Sequence, residues 1–296
     1  MKPRHVSGYS PSQTDLCEQT LITLLRGLGP WKKGIYLAGG LVPRYLVPAA
    51  APPHAGTNDV DLVLDLALLA EVDAYRRLEQ NLKHLGFQRG LTDRGRAQHF
   101  SWKKGVGPGQ TIVVDLLCDA GLGTGGQVSQ VPRERRLSAI RIPGAHLVAM
   151  DSIEVPITAE LLDGRGVATE SVRVANVVPF IVLKALAYED RAEQKDAYDL
   201  LHVLMNWHNG PVDVAMAFAE RLRQWPEERL LPQTVEILGR RFGSDKTAPG
   251  FRKDGPVSYA SFVSGPEEED PAIYQQQASS MVELFLHQLA VSLADR

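Results

Sequence analysis

Residues 31–65 read WKKGIYLAGGLVPRYLVPAAAPPHAGTNDVDLVLD. An apolar run, Ile35-Tyr36-Leu37-Ala38, meets Gly39-Gly40. A short helical piece and a Pro/Ala loop follow, and then Thr57-Asn58-Asp59-Val60-Asp61 runs into Leu62-Val63-Leu64. Side chains two apart on a strand point the same way. Asp59 and Asp61 would therefore project together from one face, with Val60 and Leu62 packed behind them. Two carboxylates held that close repel each other unless a cation or a shared proton lies between them. Ionised, they accept only hydrogen bonds or hard cations. A divalent metal is the simplest resolution.

The glycine pair extends the same picture. A strand that ends in Gly-Gly before a helix lets backbone come close to a ligand and aims N–H groups and the positive helix end at an anion. Arg44, a few residues on, is placed to hold a phosphate by a bidentate contact. Each half has a plain structural alternative, a tight turn for the glycines and a turn or helix cap for the Asp pair. In this order and together they read as a nucleotide site.

The bulk numbers set the frame. A chain of 296 residues is long enough for two domains. Its 44% hydrophobic and 23% charged residues are those of an ordinary globular protein. A net charge of −3 gives no global attraction to nucleic acid or anionic membrane, so a nucleic-acid partner would need a local basic patch. The two cysteines, Cys17 and Cys118, belong to no metal-ligand spacing, and a reduced, cytoplasmic compartment is the expectation. The first fifteen residues lack an apolar core, so no secretory signal is expected there. No stretch approaches the ~20 apolar residues of a membrane span.

Along the chain, residues 12–28 read as an amphipathic helix with Leu16, Leu21, Leu24 and Leu25 inward. Residues 71–87 read as a second, stopped by Gly86. His99-Phe100-Ser101-Trp102 reads as a strand, followed by a Gly/Lys turn from Lys103 to Gln110. The next strand, Thr111 to Leu117, is apolar except for Asp115 at its middle. A buried carboxylate needs a partner or a metal. If this strand lies beside that of Asp59 and Asp61, Asp115 joins the pair; otherwise a salt bridge to an Arg explains it.

The run Gly121-Leu122-Gly123-Thr124-Gly125-Gly126 resembles a dinucleotide fingerprint only superficially, since Val131-Pro132 stands where a helix should run, and a mobile surface loop is expected. Arg133, Arg135, Arg136 and Arg141 form a local basic cluster, either a solvated face or a contact for RNA or triphosphate. Residues 139–175 alternate and should complete the sheet. From about 175 the pattern turns helical, over 177–206, 212–224, 229–242 and 278–294. Ser244 to Pro271, with Glu267-Glu268-Glu269-Asp270, reads as a long surface loop.

Within the first of these helices, Lys184, Arg191 and Lys195 recur at seven and four residues. On a continuous helix they share one face, with Asp199 at its margin. That stripe could neutralise a triphosphate or its leaving pyrophosphate. Pairing with the interleaved Glu189, Asp190, Glu193 and Asp196 is the plain alternative.

Gly39-Gly40 with Arg44, Thr57-x-Asp59-x-Asp61 and the isolated Asp115 look like the nucleotidyltransferase fold of the DNA polymerase β superfamily. The segment Lys184-x-x-Ala187-x-x-x-Arg191-x-x-x-Lys195-Asp196-x-x-Asp199-Leu200 resembles the helical signature of the AbiEii/MenT-type nucleotidyltransferase toxins. The resemblance covers roughly residues 30–205. It departs from the pattern in the long Pro/Ala-rich gap from Gly40 to Asp59.

The resemblance implies an α+β chain. An N-terminal nucleotidyltransferase-fold mixed sheet flanked by helices would span 1–175, and a C-terminal α-helical domain, 176–296, would add Lys184, Arg191 and Asp199 to the NTP cleft. It implies a toxin of a toxin–antitoxin or phage-defence pair that moves a nucleotide from NTP, with Mg²⁺, to an RNA acceptor such as the tRNA 3′ end. A cognate antitoxin would be a partner. Asp59, Asp61 and Asp115 would hold two Mg²⁺ ions and, with Lys184, act in catalysis. Gly39, Gly40, Arg44, Thr57, Arg191, Lys195, Asp196 and Asp199 would bind the nucleotide. An enzyme that modifies an aminoglycoside-type small molecule, one that modifies a protein, and a binding protein that keeps only the fold are the rival expectations.

Overall fold

Strand β1, Ile35–Ala38, is buried at all four positions, as a strand covered on both faces must be. In the computed structural model, which describes residues 3–71, 78–91, 95, 97–107, 110–121, 125–132, 137–264 and 270–294, it lies inside a mixed sheet. Contacts divide the chain into two compact units, one of residues 10–45 and 56–176, the other of 1–9, 46–55 and 177–296.

The first unit begins with α1, Pro11–Gly27. After β1 come the short helix α2, Pro43–Leu46, and strand β2, Asp59–Leu64. Two short helices follow, α3, Leu66–Glu71, and α4, Leu78–His84. Then come β3, Gln88–Leu91; β4, Ala97–Gly107; and β5, Gln110–Asp119. The unit closes with β6, Val128–Gln130; β7, Ser138–Ile142; α5, Ala145–Met150; β8, Ser152–Glu160; and β9, Val167–Ala175.

Among the described residues the sheet has nine strands, with the main order β3-β4-β5-β2-β1-β9-β8. β4 flanks the first half of β5, and β7, itself paired with β6, flanks its end. The pairs β2/β5, β1/β9 and β5/β7 are parallel; the others are antiparallel. Alternation along the two central strands sorts their side chains. Val60, Leu62, Ile112, Val114 and Leu116 are fully buried, while Asp59, Asp61 and Asp115 on the alternate positions are half-buried. Helix α1 packs on β2, β5, β8 and β9 and buries Cys17, Leu21, Leu24 and Leu25, with Leu16 only half-buried.

The second unit is helical: α6, Val177–Arg191; α7, Gln194–Asn206; α8, Pro211–Gln224; α9, Leu230–Phe242; α10, Asp254–Ser264; and α11, Ala272–Ala294. Its core is aromatic, with Phe218 edge-on to Phe285 at 5.3 Å between ring centroids and Tyr188 against Phe242 at 5.5 Å. Residues 1–9 and 46–55, which a division at 175 leaves with the sheet, belong here because Tyr9 packs on Phe262 and His54 stacks on Tyr198.

Four expectations change. The helix expected over 177–206 breaks after Arg191, where Ala192 takes φ 49° and Glu193 is extended. The loop expected over 244–271 contains α10, whose Tyr259, Ala260 and Phe262 are buried against α7 and α11. The Gly/Lys turn expected at 103–110 is mostly strand, since Lys103, Lys104, Gly105 and Gly107 pair with β5. The helix expected over 71–87 is two pieces, α3 starting at Leu66 and α4 ending at His84; residues 72–77 lie outside the described residues. Gly86 does stop α4: it takes φ 81°, with Phe87 N–H donating to the Leu82 carbonyl at 2.9 Å. Arg133, Arg135, Arg136, residues 122–124 and Glu267 to Glu269 also lie outside the described residues.

Candidate active site

Register makes the site. β2 and β5 run parallel with Asp61 opposite Asp115, and β4 and β1 extend that row, with Ser101 beside Asp115 and Ala38 beside Asp61. Neighbouring strands lie about 4.8 Å apart, so the Asp61 and Asp115 side chains leave the same face as near neighbours. Asp59, two residues back, faces the same way. Three carboxylates distant in sequence thus share one patch of sheet.

The backbone around them is shaped to make room. Gly39 follows β1 directly and takes φ 70°, and a Cβ built there would fall 1.7 Å from Asp61 Oδ2. Only glycine lets the Asp61 carboxylate lie over this turn. Gly40 is the second residue of the Gly39–Leu41 3-10 turn that carries the chain towards α2. The approach to β2 is fixed from α1: Thr57 N–H donates to Thr14 Oγ1 at 3.1 Å. The Thr57 hydroxyl donates in turn to Asp59 Oδ1 at 2.5 Å, which orients that carboxylate. Cys17, also on α1, is pushed up in pKa by burial and then by the charges of Asp59 and Asp61, so it is an inert neutral thiol at this edge.

Hard oxygen donors on three adjacent positions, over a turn that only glycine can make, suit a divalent cation such as magnesium in chemistry and in order. Among the described residues, no three His, Cys, Asp or Glu side chains are grouped so as to hold a metal ion as they stand. Ligation would therefore require side-chain rotation over a backbone register already in place. Arg44 is engaged elsewhere, its Nη1 2.7 Å from Asp15 Oδ1 and its Nε 3.1 Å from Glu18 Oε2, both on α1.

The remaining expected residues form a separate cluster inside the helical unit. Lys184 Nζ lies 3.0 Å from Asp196 Oδ1 and 2.7 Å from Asp199 Oδ2. Arg191 forks onto Asp196 at 2.7 and 2.9 Å, and Lys195 bonds Asp199 Oδ1. The expected single-helix face therefore does not exist. Lys184 lies at the middle of α6 and Arg191 at its end, Lys195 lies in the first turn of α7, and two buried carboxylates of α7 draw the cations together. Asp199 is not at a margin but at the centre, 0% exposed.

Two histidines missing from the sequence reading complete this cluster. His54 sets its Nε2 2.8 Å from Asp199 Oδ1 and stacks on Tyr198, and His202 packs edge-on to His54. Ala55 N–H donates to Tyr198 Oη at 2.8 Å, fixing the end of the Pro/Ala segment. Nothing in a Pro/Ala-rich run marks its one histidine, so no sequence signal would have found it. Burial would raise the Asp199 carboxyl, but Lys184, Lys195 and the His54 hydrogen bond outweigh it and hold the group well below the usual carboxylate range. Burial likewise opposes the lowering of Asp196, which Lys184 and Arg191 bring about. Burial, then the Lys195 charge, lowers His54 to about 4, and burial lowers His202 to about 4, so both are neutral at pH 7. Three cations face the two buried carboxylates, and Arg191 also lies 3.8 Å from the Glu193 carboxylate.

No protein-family model matches the chain, and no curated protein sequence matches it.

Proposed function

We propose that the chain is a magnesium-dependent nucleotidyltransferase on a nucleotidyltransferase fold, with Asp59, Asp61 and Asp115 as its metal-binding and catalytic carboxylates. The observation that carries this reading is the in-register placement of Asp61 beside Asp115 on parallel strands, with Asp59 on the same face and Gly39 beneath Asp61. A sheet that needed only stability would not set three acids on neighbouring positions, because like charges so placed cost energy.

Magnesium, when bound, supplies positive charge to the triphosphate oxygens and to the group that attacks. Asp59 and Asp61 would hold it. Asp115 would complete the donor set and draw the proton from the acceptor hydroxyl. The acceptor oxygen forms a bond to the α-phosphorus, the α–β bridging P–O bond breaks, and pyrophosphate leaves. The N–H groups at Gly39 and Gly40 suit the phosphates. Catalysis of this kind rests on positioning and electrostatics. The cluster of Lys184, Arg191, Lys195, Asp196 and Asp199 is a paired network within the helical unit, and Lys184, bound to two carboxylates, serves as part of that framework.

For the acceptor and the biological role, the reading follows the resemblance to AbiEii/MenT-type toxins: RNA, with the tRNA 3′ end first, and a toxin held by a cognate antitoxin. The test is incubation with labelled NTPs, Mg²⁺ and total tRNA. Labelled RNA is expected, and Asp59→Ala or Asp61→Ala should remove it while circular dichroism stays unchanged. Label appearing on an aminoglycoside or a protein instead would move the acceptor to those classes. Full activity in the double variant would end the proposal.

A further inference from the structure

Helix α1 starts beside Thr57 and ends at a cavity of about 380 Å³. From Thr14 to Arg26 the helix rises about 18 Å, so this cavity is distinct from the carboxylate row. Arg26, His84 and Arg165 line it, with Leu85 and Leu161 as an apolar wall, and among the described residues no carboxylate contributes to its lining. The volume falls in the usual range for small-molecule sites.

Arg26 and His84 have an ordinary reason to be where they are. They end α1 and α4, where cations complement the helix dipole. Arg165 has none. It sits in the turn between β8 and β9 and makes no hydrogen bond or ion pair among the described residues. The turn is nevertheless held: Leu161 N–H donates to the Gly166 carbonyl at 2.7 Å, and Leu162 N–H donates to Thr23 Oγ1, on α1, at 3.0 Å. Arg26 is only loosely engaged, 3.7 Å from a Glu170 carboxylate whose other oxygen lies 2.8 Å from Lys32. The carbonyl end of α1, which would repel an anion, is covered, since Asn81 Nδ2 donates to the Gly27 carbonyl at 2.8 Å. Two permanent cations on fixed backbone beside an apolar wall match an anionic head on a partly apolar body.

We propose that this cavity binds a phosphate ester of mononucleotide size, its phosphate between Arg26 and Arg165 and its body against Leu85 and Leu161. The proposal does not rest on the transfer reading and would stand if the chain transferred nothing. The test is arginine modification by phenylglyoxal in EDTA, read residue by residue by mass spectrometry, with ATP, adenosine or inorganic phosphate present. ATP should slow modification of Arg26 and Arg165 at least fivefold, and adenosine should not. By equilibrium dialysis in EDTA, Arg165→Ala should weaken ATP binding at least tenfold, whereas Arg252→Ala, at an exposed arginine outside the cavity lining, should leave it unchanged. Protection by inorganic phosphate as strong as that by ATP would overturn the ester assignment. No protection, or ATP binding kept in Arg165→Ala, would overturn the site.

Discussion

Asp61 and Asp199 each have a second aspartate close by in sequence, yet the two regions treat their acids in opposite ways. In the sheet, Asp61 and Asp115 face each other across two strands, half-buried, in a row whose other members are Ser101 and Ala38. In the helical unit, Asp196 and Asp199 are buried to 1% and 0% and wrapped by Lys184, Arg191 and Lys195. A fully desolvated carboxylate persists only if cations and hydrogen bonds compensate it. A half-exposed cluster of like charge costs stability unless a cation or a shared proton lies between its members. The contrast sets a buried, cation-paired use of acid in the helical unit against a half-buried row of like charge in the sheet.

The sharpest way to break the comparison is the same isosteric change in each region. Asp199→Asn takes the carboxylate from Lys195 and one of two from Lys184 in the interior and should cost about 3–5 kcal/mol of stability. Asp61→Asn removes repulsion from the row and should leave stability unchanged or raise it slightly, while abolishing transfer. Urea unfolding followed by circular dichroism reads both, and equal losses in the two variants would erase the distinction.

Acid should weaken the helical unit well before it reaches the carboxylates. His54 and His202 titrate at about 4 in the fold, below the 6.5 of the unfolded chain, so unfolding takes up protons as pH falls through that window. Their contribution is complete above about pH 6.5 and is lost on the way to pH 4. Between pH 7 and pH 5 each should forfeit on the order of 2 kcal/mol. Asp196 and Asp199, also depressed, hold their contribution down to about pH 4 and lose it only below. A His54→Gln/His202→Gln variant should flatten the upper part of the profile. A wild-type profile already flat from pH 7 to 5 would mean that neither imidazole is held neutral.

The parts legible in the sequence were those where period and chemistry coincide. Alternation of Asp with Val and Leu marked the face of β2, and one acid in the apolar run of β5 marked Asp115. That the two strands are neighbours in register is long-range pairing, which only the fold supplies. The break between α6 and α7 was hidden because Ala192-Glu193 carries no Gly or Pro signal. The reverse error hid α10, whose Asp254-Gly255-Pro256 start looks like loop, although Pro suits a first helical turn and Gly255 lies where a Cβ would meet the Phe242 ring at 2.6 Å. Which acid takes which cation was equally out of reach, since the interleaved charges of 184–199 allow several pairings and burial chooses one.

The smallest effect tests how the row is oriented rather than whether it exists. Thr57 is buried, and its hydroxyl reaches Asp59 Oδ1 while its backbone N–H is held by Thr14. Thr57→Val keeps the shape and the backbone bond and deletes only the hydroxyl, so stability should fall by about 1 kcal/mol. Asp59 would then lose its fixed rotamer, and transfer should drop roughly tenfold through a raised magnesium requirement, with a maximal rate close to wild type at saturating metal. A Thr57→Ser chain, which restores the hydroxyl, should recover most of the loss. If serine fails where valine fails, the side chain matters for packing at the mouth of β2, and the carboxylate needs no orienting partner. If valine matches wild type at low magnesium, Asp59 is free to find the ion unaided, and the row is set by backbone register alone.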